Sequence, residues 1–161
     1  MTSTYPLTAF EIKPVVITTE TYHIPIALER VSAGFPSPAA EYMDGSIDLN
    51  KHLIKNKKST FIVRVNSMSM RDAGISIDDE LVVDRSVTAE CGDIVIALIN
   101  NEFTVKTLII ETLESDQQKV WLRAENPEFK SIYPRDNEDI EVWGVVTAVI
   151  KNVYKRRRKR S

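Results

Sequence analysis

Residues 93–110 read "DIVIALINNEFTVKTLII", two apolar runs separated by Asn100-Asn101. Runs this rich in Val and Ile suit β-strands, because branched side chains pack well on a pleated surface. Asparagine tolerates the positive φ of a tight turn, so the Asn pair predicts a hairpin between two antiparallel strands. In the second run a period of two puts Phe103, Val105, Thr107 and Ile109 on one face and Thr104, Lys106, Leu108 and Ile110 on the other. Both faces are largely apolar, and a single lysine stands among them.

Runs of the same kind recur on either side: "TFIVRV" (60–65), "DELVVD" (79–84), "KVWL" (119–122) and "IEVWGVVTAVI" (140–150). The predicted fold class is therefore mainly β, a single antiparallel domain with little helix and no internal repeat. Within "GSIDLNKHLIK" (45–55), Ile47, Leu49, Leu53 and Ile54 have near-helical spacing, and Asp48 is placed to cap a short helix. Residues 1–45 show no sustained period and are punctuated by Pro6, Pro14, Pro25, Pro36 and Pro38, which predicts an extended N-terminal arm. A chain of 161 residues suits one core with arms. The expected division is arm 1–45, β-rich body 46–150 and C-terminal tail 151–161.

The single cysteine, Cys91, excludes an internal disulfide framework and a multi-cysteine zinc site, and it reads as a buried or turn-flanking structural thiol. No run approaches the roughly 18 to 20 apolar residues of a membrane span, and the N-terminus lacks a secretory profile. A cytoplasmic protein with no membrane contact is expected. No metal ligand set and no Gly-rich phosphate loop occur, so no cofactor is expected. Seven of the 21 basic residues lie in "KNVYKRRRKRS" (151–161), which leaves 14 against 23 acidic residues in the rest, a net charge of −9. The cationic tail is read either as a solvated terminus or as a contact for DNA phosphates or an acidic partner.

After the strand "TFIVRV" comes "NSMSM" (66–70), a sharp exit that can present a serine oxygen together with backbone N–H groups for an oxyanion. Only His23 and His52 exist, both ahead of the body, and neither supports a Ser-His-Asp triad. A lysine can act as the base if burial lowers its pKa far below the reference of about 10.4. Lys106 has the apolar neighbourhood this demands, whereas Lys55, Lys57, Lys58, Lys119 and Lys130 sit in polar surroundings. Periodicity alone leaves a second reading open, a strand lysine whose stem covers apolar surface. Likewise "VSAGFPSPAAEY" (31–42) reads either as a linker or as an extended cleavage segment around the small-small bond Ala33-Gly34. A substrate tethered in cis needs little affinity, because effective concentration replaces it.

The segments "AGFPSPAAEY", "IDLN", "SMSMRDAGI", "DELVVDRSVTAECGDIVIA" and "NEFTVKTL", in this order and spacing, resemble the UmuD mutagenesis proteins. These are relatives of the LexA repressor among the self-cleaving, S24-like Ser-Lys peptidases, and the resemblance runs from about Gly34 to Lys151. It implies Ser69 as nucleophile, Lys106 as general base, Ala33-Gly34 as the scissile bond, and the backbone N–H groups of Met68 and Ser69 as oxyanion donors. Register with "MRDAGI" favours Ser69 over Ser67. It further implies curved antiparallel sheets and a homodimer. The same resemblance implies that cleavage is triggered by the RecA filament on single-stranded DNA, and that the shortened product works with a Y-family, UmuC-like DNA polymerase in error-prone SOS translesion synthesis. Three features depart from the family: Ser67 and Met68 ahead of the serine, a long arm, and the basic tail.

Rival functions fit the residues less well; a signal peptidase shares Ser-Lys chemistry but needs a membrane anchor, which is not expected here. A LexA-like regulator needs a helix-turn-helix ahead of the cleavage site, and 33 proline-punctuated residues do not offer one. A non-catalytic β interaction module would have no use for both Ser69 and Lys106.

Overall fold

The computed structural model describes residues 12–14, 23–26, 45–135 and 140–154. Nine strands account for nearly half of them: β1 (Ile12–Pro14), β2 (His23–Ile26), β3 (Gly45–Asp48), β4 (Thr60–Arg64), β5 (Glu80–Asp84), β6 (Ile94–Ile99), β7 (Glu102–Thr112), β8 (Gln118–Arg123) and β9 (Glu141–Ile150). One α-helix (α1, Leu49–Leu53) and one 3₁₀ turn (Arg71–Ala73) complete the described elements. The mainly β, antiparallel fold class expected from the sequence is thus observed.

Seven strands form one sheet in the order β1-β4-β5-β9-β6-β7-β8, and β2 pairs with β3. All pairings are antiparallel. The β6–β7 hairpin turns on Asn100 and Asn101, whose φ values of 48° and 65° are the doubly left-handed geometry of a two-residue hairpin loop. Helix α1 starts where expected: the Asp48 carboxylate accepts a hydrogen bond from the Asn50 N–H at 3.0 Å.

The apolar runs are continuous because the sheet carries core on both faces. Alternation along β6 sends Ile96 into a cluster with Val63, Val65, Met70, Ile75, Leu81, Val83 and Val105. Its neighbours Val95 and Ala97 join Leu108, Leu122 and Val145 in the other.

The central strand β9 is bent by two register shifts. One lies opposite Val82/Val83 and skips Thr147; the other lies opposite Ile96/Ala97 and skips Trp143. An extra residue on one strand kinks it and re-aims the bulged side chain. Trp143 is re-aimed onto Phe61 and Phe103, with ring centroids 5.2 and 5.6 Å away, and the Arg85 guanidinium covers its ring at 4.8 Å. Next to this bulge, Gly144 lets β5 approach closely: a Cβ there would stand 2.7 Å from Val83 Cγ1. Phe103, braced by the bulge, forms one wall of the site.

Candidate active site

The turn that follows β4 carries Ser69. Val65 extends the pairing of β4 by one step, its N–H donating to Asp79 O at 2.9 Å and its carbonyl accepting from the Asp78 N–H at 2.8 Å. The chain then leaves the sheet and coils into the 3₁₀ turn, which ends on Gly74 at φ 80°. Met70, only 1% exposed, drops into the core and anchors this exit. Ser69, beside it, is 5% exposed.

Lys106 comes from the middle of β7, where residues 105–108 are all buried. It is 6% exposed, and its amine lies 3.0 Å from Ser69 Oγ, 2.9 Å from Thr104 Oγ1 and 2.9 Å from Val105 O. No carboxylate among the described residues compensates it, and burial holds the Lys106 amine below its ordinary pKa. Lys55, Lys57, Lys58, Lys119 and Lys130 are exposed, as their polar surroundings suggested. His52 is exposed on α1.

A neutral amine has two N–H donors and one lone pair. With Thr104 Oγ1 and Val105 O taking the donors, the lone pair is left for the Ser69 hydroxyl proton. The three oxygens thus suit either protonation state, with proton exchange between serine and lysine along a formed hydrogen bond.

A cleft of about 190 Å³ opens over the pair, lined by Val65, Asn66, Ser67, Ser69, Met70, Phe103, Thr104, Val105 and Lys106. It is smaller than the roughly 300 to 1,000 Å³ of small-molecule pockets, a size that admits a strip of extended chain better than a bulky ligand. The Ser69 N–H points to Ser67 Oγ at 3.2 Å, and the Met68 N–H has no hydrogen-bond partner among the described residues.

Ala33 and Gly34 lie outside the described residues, as do residues 155–161 of the tail. Lys151, counted with the tail, is anchored instead: its amine pairs with the buried Asp79 carboxylate at 2.8 Å. Cys91 is exposed and flanks the Glu90–Asp93 turn, with its Sγ accepting from the Ile110 N–H, so of the two environments expected for it the turn is the observed one. Among the described residues no helix is long and apolar enough to cross a membrane.

Two residues at the site have no role predicted from the sequence. Thr104 shares a strand face with Lys106 and was legible as its neighbour at i−2, though not as its hydrogen-bond partner. Asn126, 3% exposed, donates from Nδ2 to Met68 O at 2.8 Å across 58 residues of chain. Its local context "ENPEF" signals only a turn.

A buried hydroxyl hydrogen-bonded to a buried amine whose other partners are uncharged oxygens, on an antiparallel β scaffold beside a narrow cleft, has the chemistry of a serine hydrolase. Comparison with known proteins is more specific. Residues 25–147 match the family described as Peptidase S24-like. Protein MucA of Salmonella typhimurium is 43% identical over 127 residues, 78% of this chain and 83% of MucA. Protein ImpA of Shigella flexneri is 41% identical over 131 residues, 81% of this chain and 86% of ImpA. The LexA repressor of Acidithiobacillus ferrooxidans is 39% identical over 127 residues, 76% of this chain and 58% of the repressor. The chain belongs to the S24-like peptidase family, the self-cleaving serine peptidases that its motifs resemble.

Proposed function

We propose that this chain cuts itself between Ala33 and Gly34, with Ser69 as nucleophile and Lys106 as general base. The observation that carries this reading is the 3.0 Å contact between the Lys106 amine and Ser69 Oγ, both buried, with no acidic partner among the described residues to hold the lysine charged. Neutral Lys106 takes the Ser69 proton while Oγ bonds to the Ala33 carbonyl carbon. The carbonyl oxygen becomes an oxyanion, held by the N–H groups of Ser69 and Met68. The intermediate collapses, the proton passes from Lys106 to the departing Gly34 nitrogen, and the Ala33–Gly34 bond breaks. Water, deprotonated by the same amine, then releases Ala33 from Ser69. Small side chains on both sides of the bond let the main chain reach a serine sunk this deeply.

The trigger is the RecA filament on single-stranded DNA. It raises the fraction of molecules in which the arm is docked and Lys106 is neutral, to which the observed rate is proportional. The product, residues 34–161, assembles as a homodimer in the cytoplasm and serves as the accessory subunit of a Y-family, UmuC-like polymerase in SOS mutagenesis. The resemblance of "SMSMRDAGI" and "NEFTVKTL" to the UmuD proteins supports this accessory role. Intact mass after incubation with RecA, single-stranded DNA and a nucleotide that keeps the filament active tests it. The expected result is a cut at Ala33–Gly34 in the wild type and none in Ser69→Ala; a wild type left whole removes the reading.

A further inference from the structure

We propose that Asn126 is a positioning residue for this reaction: from behind the nucleophile turn it fixes the Met68–Ser69 peptide plane, and so aims the Ser69 N–H into the cleft. The inference rests on the reading of Ser69 as nucleophile and adds a residue from a different part of the chain.

A trans peptide is planar, with its C=O and N–H pointing in opposite directions. Holding the oxygen therefore sets the direction of the hydrogen. The Met68 carbonyl is held by two donors, Asn126 Nδ2 at 2.8 Å and the Arg71 N–H at 3.2 Å. On the opposite edge of the same peptide the Ser69 N–H reaches Ser67 Oγ at 3.2 Å, and Ser67 and Ser69 both line the cleft. An arriving carbonyl oxygen must take the place of the Ser67 hydroxyl to receive that bond.

Asn126 is itself held. Its Oδ1 accepts from the Glu128 N–H at 3.0 Å, which leaves one orientation for the amide and turns the NH₂ toward Met68. Its carbonyl accepts from the Phe129 N–H at 3.0 Å. The preceding residue reaches toward the base. Glu125 O accepts from the Asp72 N–H at 2.8 Å, and Glu125 Oε1 accepts from the Thr107 hydroxyl at 2.7 Å, one residue after Lys106. This dipeptide ties the turn that carries Ser69 to the strand that carries Lys106.

The test is filament-independent self-cleavage of the full chain against pH, for the wild type, Asn126→Ala and the near-isosteric Asn126→Asp. The last keeps the acceptor for Glu128 but loses the donor to Met68. Removal of an oxyanion donor costs about 10² to 10³ in rate, and a misaimed one should cost part of that. The expected result is an alkaline plateau rate lowered about tenfold to a hundredfold in both variants, with the pH midpoint unmoved in Asn126→Ala. Loosening that merely separated Ser69 from Lys106, or wetted the lysine, would move the midpoint. Plateau rates within about twofold of wild type, or a loss explained by a shifted midpoint, overturn the proposal and leave the peptidase reading intact. If Asn126→Ala does not fold, Asn126→Asp decides on its plateau rate alone, because its new carboxylate can itself move the midpoint. A wild type that never cuts removes both readings.

Discussion

Thirty-seven residues separate Ser69 from Lys106 in sequence, yet the lysine amine meets the serine hydroxyl at 3.0 Å in a site where each side chain is at most 6% exposed. Sheet register brings them together. β7 is pinned between β6 and β8, and the turn after β4 is pinned by Met70 below and Asn126 behind. A lysine buried without a carboxylate is costly, since its proton is easily held in water and poorly held in the core.

That cost gives a stability test. Burial lowers the native pKa of Lys106 below 10.5, so between the native and unfolded values the unfolded chain holds more protons and stability rises with pH. The penalty is present in full below the native pKa and gone above about 10.5. Lys106→Met should therefore raise Tm most at the acid end of the range, with the gain shrinking as pH rises toward 10.5. Thermal unfolding of both proteins across pH measures it; a gain independent of pH would contradict a buried, proton-shedding lysine.

Ser67 and Ser69 are separable by substitution. The Ser67 hydroxyl occupies the Ser69 N–H rather than the Lys106 amine. Ser67→Ala is expected to cut itself at or above the wild-type rate, while Ser69→Ala stays whole. Intact-mass time courses that reversed this order would make Ser67 the nucleophile.

Gly144 should not tolerate a side chain. The added methyl of Gly144→Ala would stand 2.7 Å from Val83 Cγ1 in the packed core, an overpacking expected to cost about 1 to 3 kcal/mol. Urea unfolding reads the loss, and Val83→Ala in the same chain should return part of it by making room. Equal midpoints for Gly144→Ala and wild type would show that the bulge relaxes freely.

The cationic run from Lys155 to Arg160 supports a phosphate contact that Lys151, paired with Asp79, does not share. Deleting residues 155–161 is expected to weaken retention on DNA at low salt and to spare self-cleavage. Equal retention with and without the tail eliminates the contact.

The strands of the body were legible because Val and Ile runs were bounded by turn residues, and the Asn100-Asn101 hairpin because few residues adopt its φ values. The apolar neighbourhood of Lys106 was legible for the same reason: a buried strand has apolar residues on both faces. Other features depend on contacts that no local pattern encodes. The bulges at Trp143 and Thr147 are set by the register of two neighbouring strands, and β1 pairs with β4 across some fifty residues. Asn126 sits in a turn that looks ordinary, and its importance lies in a carbonyl 58 residues away.

The most direct measurement is the rate of self-cleavage without any filament, followed by intact mass from about pH 6 to about pH 11, a span that includes the reference lysine pKa. The expected result is a wild-type rate that climbs as Lys106 loses its proton, with a midpoint below pH 10.5 and a single cut between Ala33 and Gly34. Ser69→Ala and Lys106→Ala should remain whole at every pH. A cut that persists in either variant, or a wild-type rate indifferent to pH, would contradict the assignment of this serine and this lysine as the reacting pair.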